Sequence, residues 1–139
     1  PEYYAHHIEG QWLDGIVGRI FDNWQVGTPD PAGEYDTVYG LDFGFSNDPA
    51  ALVEVKRKNN KLYLKQLVYS PGLTNADLVQ QMKKHGITNR DQIIADSAEP
   101  KSIEDLKRAG FNVKPAYKGP DSIQAGINTL KEYEVYICL

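Results

Sequence analysis

Two aspartates stand where a carboxylate needs company. Asp42 ends the apolar run Val38-Tyr39-Gly40-Leu41 and is followed by Phe43, and Asp96 ends the run Ile93-Ile94-Ala95. Short apolar runs bounded by turn formers read as buried strands. An ionised carboxylate in a largely buried strand is costly unless something compensates it. If the two strands lie parallel and adjacent, both carboxylates meet at one end of the sheet and repel until a cation or a shared proton relieves them. Hard oxygen ligands of this kind suit Mg²⁺ or Mn²⁺, which keep several waters and accept phosphate oxygens. Two such ions, about 4 Å apart, activate a water and stabilise the leaving oxygen in phosphodiester hydrolysis. Spacing alone leaves a second reading open, in which Asp42 and Asp96 only cap turns or helices.

The elements that must position these acids follow from the surrounding pattern. Residues 1–30 are rich in aromatics and glycine, including Trp12, Trp24, Tyr3, Tyr4 and Phe21, without clean periodicity, so irregular chain with short strands is expected. The turn formers from Gly27 to Gly33 mark a domain boundary or linker. A strand through Asp42 follows, then two more over 52–57 and 62–69, joined by the hairpin turn Lys58-Asn59-Asn60-Lys61. Thr74 is placed to cap a helix with Asp77 three residues on, Leu73 to pack on Leu78, and Gly86 to close it.

The strand ending at Asp96 comes next, and Pro100 suits the first turn of a helix running to Gly110. A strand through Phe111 and Val113, a helix with Ile123, Ile127 and Leu130 on one face, and a strand through Val135 and Cys138 complete the order. Three antiparallel strands followed by alternating helices and strands make an α/β mixed sheet with helices on its faces. The chain stops on an apolar strand, so the domain reads as truncated at its C-terminus.

The 139 residues suffice for one core. A hydrophobic fraction of 41% with 24% charged residues excludes a mainly disordered chain. The net charge of −4 argues against a general nucleic-acid coat, since such affinity comes mostly from Lys and Arg. It allows an enzyme on DNA, because an acid cluster that holds metal shifts the balance negative. No apolar run is long enough to span a bilayer, the first residues show no basic segment followed by an apolar one, and the single Cys138 has no zinc-like spacing of Cys or His around it. A soluble, reducing, cytoplasmic setting is expected. Cys138 reads as a small core residue, and the adjacent His6 and His7 as packing residues. Cations cluster at Lys56, Arg57, Lys58 and Lys61, and again at Lys101, Lys107, Arg108, Lys114 and Lys118. Most read as solvated edges or faces, with Lys118 the preferred contact to DNA phosphates.

The segments Tyr39-Gly40-Leu41-Asp42-Phe43-Gly44-Phe45-Ser46-Asn47-Asp48-Pro49 and Ile93-Ile94-Ala95-Asp96-Ser97-Ala98-Glu99-Pro100-Lys101-Ser102-Ile103 resemble the first and second acidic motifs of the nuclease domain of tailed-phage large terminase subunits. Ala116-Tyr117-Lys118-Gly119-Pro120-Asp121-Ser122-Ile123 is similar to that family's later Lys-Gly and Ser-Ile pattern, and Glu9-Gly10-Gln11-Trp12 to the passage out of its ATPase domain. The resemblance implies an RNase H-like fold over 31–139, with 1–30 as the end of an ATPase domain or a linker. It implies a metal-dependent endonuclease that cuts concatemeric double-stranded DNA, with Asp42 and Asp96 as catalytic metal ligands for Mg²⁺ or Mn²⁺. It also implies a portal protein and a small terminase subunit as partners, and work in the host cytoplasm at the procapsid portal.

Glu99 and Asp48 lie inside the motifs as accessory acids, or serve a helix start and a turn. The family's further acid, on a later helix, lies beyond Leu139, so weak metal binding and little cleavage are expected of these residues alone. There is no Walker A pattern, so ATP would belong only to the ATPase domain that this sequence does not contain. Two other functions compete: a docking or DNA-guiding module of the packaging motor, and another RNase H-like enzyme of the resolvase or transposase type.

Overall fold

The computed structural model describes residues 23–44 and 47–139. The strands are β1 (Trp24–Val26), β2 (Asp36–Asp42), β3 (Ala50–Lys58), β4 (Lys61–Ser70), β5 (Gln92–Ala95), β6 (Asn112–Pro115) and β7 (Glu134–Cys138). Three helices separate the later ones: α1 (Asn75–Lys84), α2 (Pro100–Arg108) and α3 (Ser122–Lys131).

The β2, β3 and β4 strands form the expected antiparallel meander. Lys58 pairs with Lys61 across the hairpin, and Asn59 takes the left-handed conformation, φ 55°, that its short amide side chain tolerates. A bulge leaves Leu67 unmatched, since Leu52 pairs with Val68 and Val53 with Gln66. β5 then adds parallel to β2, and β6 parallel to β5. At the other side β7 pairs in parallel with both β4 and β1, so the sheet runs β1-β7-β4-β3-β2-β5-β6.

One face of this sheet carries the core. Strand alternation turns Tyr39, Leu41, Leu52, Val68, Ile93, Ala95 and Val113 toward Leu78 and Met82 of α1 and Ile103 and Leu106 of α2. Leu52, Met82, Ile93 and Leu106 are wholly withdrawn from solvent. Each such side chain contributes up to about 1.5–3 kcal/mol of burial. α1 starts as its sequence dictates: Asp77 N–H donates to Thr74 Oγ1 at 3.1 Å, and Thr74 N–H donates to Asp77 Oδ2 at 2.9 Å. Gly86, at φ +75°, ends it, and Ile87 N–H returns to the Met82 carbonyl.

The structure departs from the expected organisation in two places. Trp24–Val26 already belongs to the sheet, and Gly27 N–H donates to the Ile137 carbonyl at 3.1 Å, so the sheet begins before residue 31. The turn formers from Gly27 to Gly33 connect β1 to β2 within this sheet. The readings of Trp12, the two histidines and the passage at Glu9–Trp12 lie outside the described residues.

The second departure is α3, which forms where expected but has no buried side chain among the described residues. Ile123 is 80% exposed, while Ile127 and Leu130 are half-buried. Among the described residues, the helices that contribute to the buried core are α1 and α2.

Candidate metal centre

The two acids end neighbouring strands. In the parallel pair β2 and β5, Leu41 is matched with Ala95. The next residues are Asp42 and Asp96, and Asp96 N–H donates to the Leu41 carbonyl at 3.2 Å. Leu41 and Ala95 point into the core, so alternation directs the following pair to the opposite face at the same end of the sheet. This corrects the expectation of largely buried carboxylates. Asp42 is exposed and the Asp96 side chain is 34% exposed, because the apolar side chains of these strands face the helices and the acids do not.

Each acid closes the same local turn. Gly44 N–H donates to Asp42 Oδ1 at 3.0 Å, and Ala98 N–H donates to Asp96 Oδ1 at 3.0 Å. Both carboxylates are thereby oriented through one oxygen. Among the described residues the other oxygen of each accepts no hydrogen bond. The turn at Gly44 tolerates no side chain: φ is +71°, and a Cβ there would lie 2.5 Å from the Asp48 carbonyl oxygen.

Lys118 completes the site. The chain leaving β6 is pinned beside β5 by the 2.7 Å bond from Ala116 N–H to the Ala95 carbonyl. Two residues on, Lys118 Nζ lies 2.6 Å from Asp96 Oδ1. The Lys118 ammonium, assisted by the Ala98 N–H, holds the Asp96 carboxyl below the usual carboxylate range. Lys118, the preferred residue for DNA phosphates, pairs in this structure with Asp96. Nothing in the sequence spacing announces that pairing, because 22 residues separate the partners.

The remaining acids of the two motifs sit apart from this arrangement. Glu99 occupies the N-cap position of α2, with no side-chain capping bond, and its N–H donates to the Asp96 carbonyl at 3.3 Å. Asp48 is exposed in the turn before β3 and approaches the site through its backbone. Among the described residues no three His, Cys, Asp or Glu side chains surround one point. Two carboxylates with one oxygen each to spare fit a hard divalent cation that keeps most of its waters. Of the other cations, Arg57 pairs with Asp36 at 2.9 Å, Arg108 with Glu104 at 3.4 Å, and Lys56 and Lys58 lie over the Tyr35 ring. A groove of about 610 Å³ between α1 and α2, lined by Asn75, Val79, Lys83 and Asp105, includes neither acid.

A mixed sheet of this order with acids ending its paired parallel strands is an RNase H-like architecture. Residues 42–139 match the family model described as the terminase RNase H-like domain, and the chain belongs to that family. It is 36% identical to the large terminase subunit of Bacillus phage SPP1, over 96% of this chain and 33% of the relative. It is 31% identical to the PBSX phage terminase large subunit of Bacillus subtilis strain 168, over 71% of this chain and 23% of that protein. The chain thus spans a third or less of the length of these relatives. Among solved structures, the SPP1 large terminase nuclease domain with bound Mn aligns with TM-score 0.72 and 30% identity, over 85% of this chain and 71% of that one. The P22 large terminase nuclease domain shares the fold at TM-score 0.63 and 18% identity, over 87% and 72% of the two chains. No described helix is long and apolar enough to cross a membrane.

Proposed function

We propose that this chain is the catalytic part of a metal-dependent DNA endonuclease of the packaging terminase type, with Asp42 and Asp96 as its metal-holding acids. The observation that carries this reading is the direct pairing of their strands through Asp96 N–H and the Leu41 carbonyl. The Mn bound to the related SPP1 nuclease domain supports the choice of ion. Asp42 and Asp96 would hold Mg²⁺ or Mn²⁺ through the oxygens that their turns leave over. The ions, when bound, supply Lewis-acid polarisation of the phosphodiester and an activated water.

The protein's own part is orientation. The Gly44 and Ala98 N–H groups fix the rotation of each carboxylate before an ion arrives, so little ordering remains to be done on binding. Asp48 and Glu99 are outer acids in this proposal, acting through their turns. The substrate is double-stranded DNA, the portal and the small subunit are the partners, and the work belongs in the host cytoplasm. ATP is used by the ATPase domain, which the described residues do not include. The test is plasmid cleavage in Mg²⁺ or Mn²⁺ by the full-length protein carrying Asp42→Asn or Asp96→Asn. Each should abolish cleavage, and cleavage at the wild-type rate by both variants would refute the assignment and favour a docking role.

A further inference from the structure

We propose that Lys118 is an internal counter-cation for Asp96, so that a metal ion reaches Asp96 by exchange against the Lys118 ammonium. The inference rests on the reading of Asp42 and Asp96 as metal-holding acids and adds a positioning residue to it.

Three observations carry it. The acids end adjacent parallel strands on one face, an arrangement in which like charges repel when no cation is present. The one ammonium that the described structure brings to either acid is that of Lys118, 2.6 Å from Asp96 Oδ1. Its approach is built into the backbone. Ala116 is tied to the end of β5, Ser122 N–H donates to the Gly119 carbonyl at 3.2 Å, and Asp121 adopts a left-handed conformation, φ 61°. Lys118 thus follows the tie at Ala116 by two residues and precedes the turn over Gly119–Ser122 that opens α3.

The consequence is a trade. Lys118 relieves the repulsion between the acids while no metal is bound, and the same charge lowers the affinity of Asp96 for a divalent ion. The pair is partly exposed, with Lys118 57% and Asp96 34% accessible, so the effect is modest and the exchange is easily reversed.

Titration of the full-length protein with Mn²⁺ alone, read by the electron paramagnetic resonance of the free ion, tests this. Lys118→Met should bind Mn²⁺ roughly threefold to fivefold more tightly than wild type, the scale of one partly exposed ion pair. Lys118→Arg, which keeps the charge, should stay near wild type. Metal-free Lys118→Met should also melt below wild type, with the gap closing at saturating Mn²⁺. If Lys118 merely tethers its loop, Lys118→Met would leave Asp96 less ordered, and Mn²⁺ affinity would be unchanged or weaker; either result overturns the proposal. Should Lys118→Met not fold, Lys118→Gln carries the same comparison. Asp96→Asn separates the two levels of the argument. If that variant still binds Mn²⁺ as wild type does, the metal-site reading itself falls; if it loses Mn²⁺ while Lys118→Met gains nothing, only the exchange falls.

Discussion

The backbone N–H of Asp96 donates to the carbonyl of Leu41 at 3.2 Å, one residue before Asp42. This bond continues the β2–β5 ladder just past its last matched pair and makes the two acids lateral neighbours. Both then turn away from the strand through the same two-residue loop, closed on an aspartate Oδ1. The geometry of the centre is therefore a property of backbone pairing, to which side chains add orientation.

Asp42→Asn should separate charge from shape. The amide oxygen can still accept from Gly44 N–H, so the metal-free melting temperature should hold or rise while cleavage falls on the order of a hundredfold or more, as loss of several kcal/mol of metal-dependent stabilisation requires. Paired thermal unfolding and plasmid cleavage on one preparation decide this. A variant that unfolds readily yet still cuts DNA would show that Asp42 is only a turn residue.

Gly44→Ala tests the turn itself. At φ +71°, with the Asp48 carbonyl 2.5 Å from the position of a new Cβ, the backbone must move. A loss of about 1–3 kcal/mol in denaturant unfolding is expected, together with weaker metal binding, because the N–H that orients Asp42 moves with it. Unchanged stability and affinity would mean that the loop relaxes without disturbing the acid.

Tyr39 predicts an alkaline limit. The phenol is buried and pairs across the sheet with Glu54, and burial first, then the negative charges of Glu54 and Asp91, push its pKa up to about 12. A raised folded-state pKa means stability fully present below the ordinary value of 10.0 and lost as pH climbs through about 12. Unfolding free energy measured from pH 9 to 12 should fall more steeply for wild type than for Tyr39→Phe, by up to about 2–3 kcal/mol across that window. Parallel slopes for the two proteins would contradict this.

Leu106→Ala probes the helical cover. Leu106 is wholly buried between α2 and the sheet, and its truncation should cost about 2–5 kcal/mol in urea unfolding. Ile123→Ala on the exposed face of α3 should cost less than about 0.5 kcal/mol in the described chain. A reversed order would mean that α3, not α2, carries the core.

Much of this was legible in the sequence because the physics is local. Asn59 tolerates the left-handed turn, Thr74 and Asp77 exchange hydrogen bonds three residues apart, and Gly86 ends a helix by itself. The alternation around Asp42 and Asp96 marks two strand ends, and the order of elements implies that they are neighbours. The tertiary structure decided what depends on residues far apart in the chain. It set Lys118 on Asp96 across 22 residues, placed β7 between β1 and β4, and left the apolar stripe of α3 unburied among the described residues. Periodicity records that a side chain is apolar or charged, but which surface or countercharge it meets is set by how strands pair across the sheet, and that pairing is a free-energy balance of the whole fold.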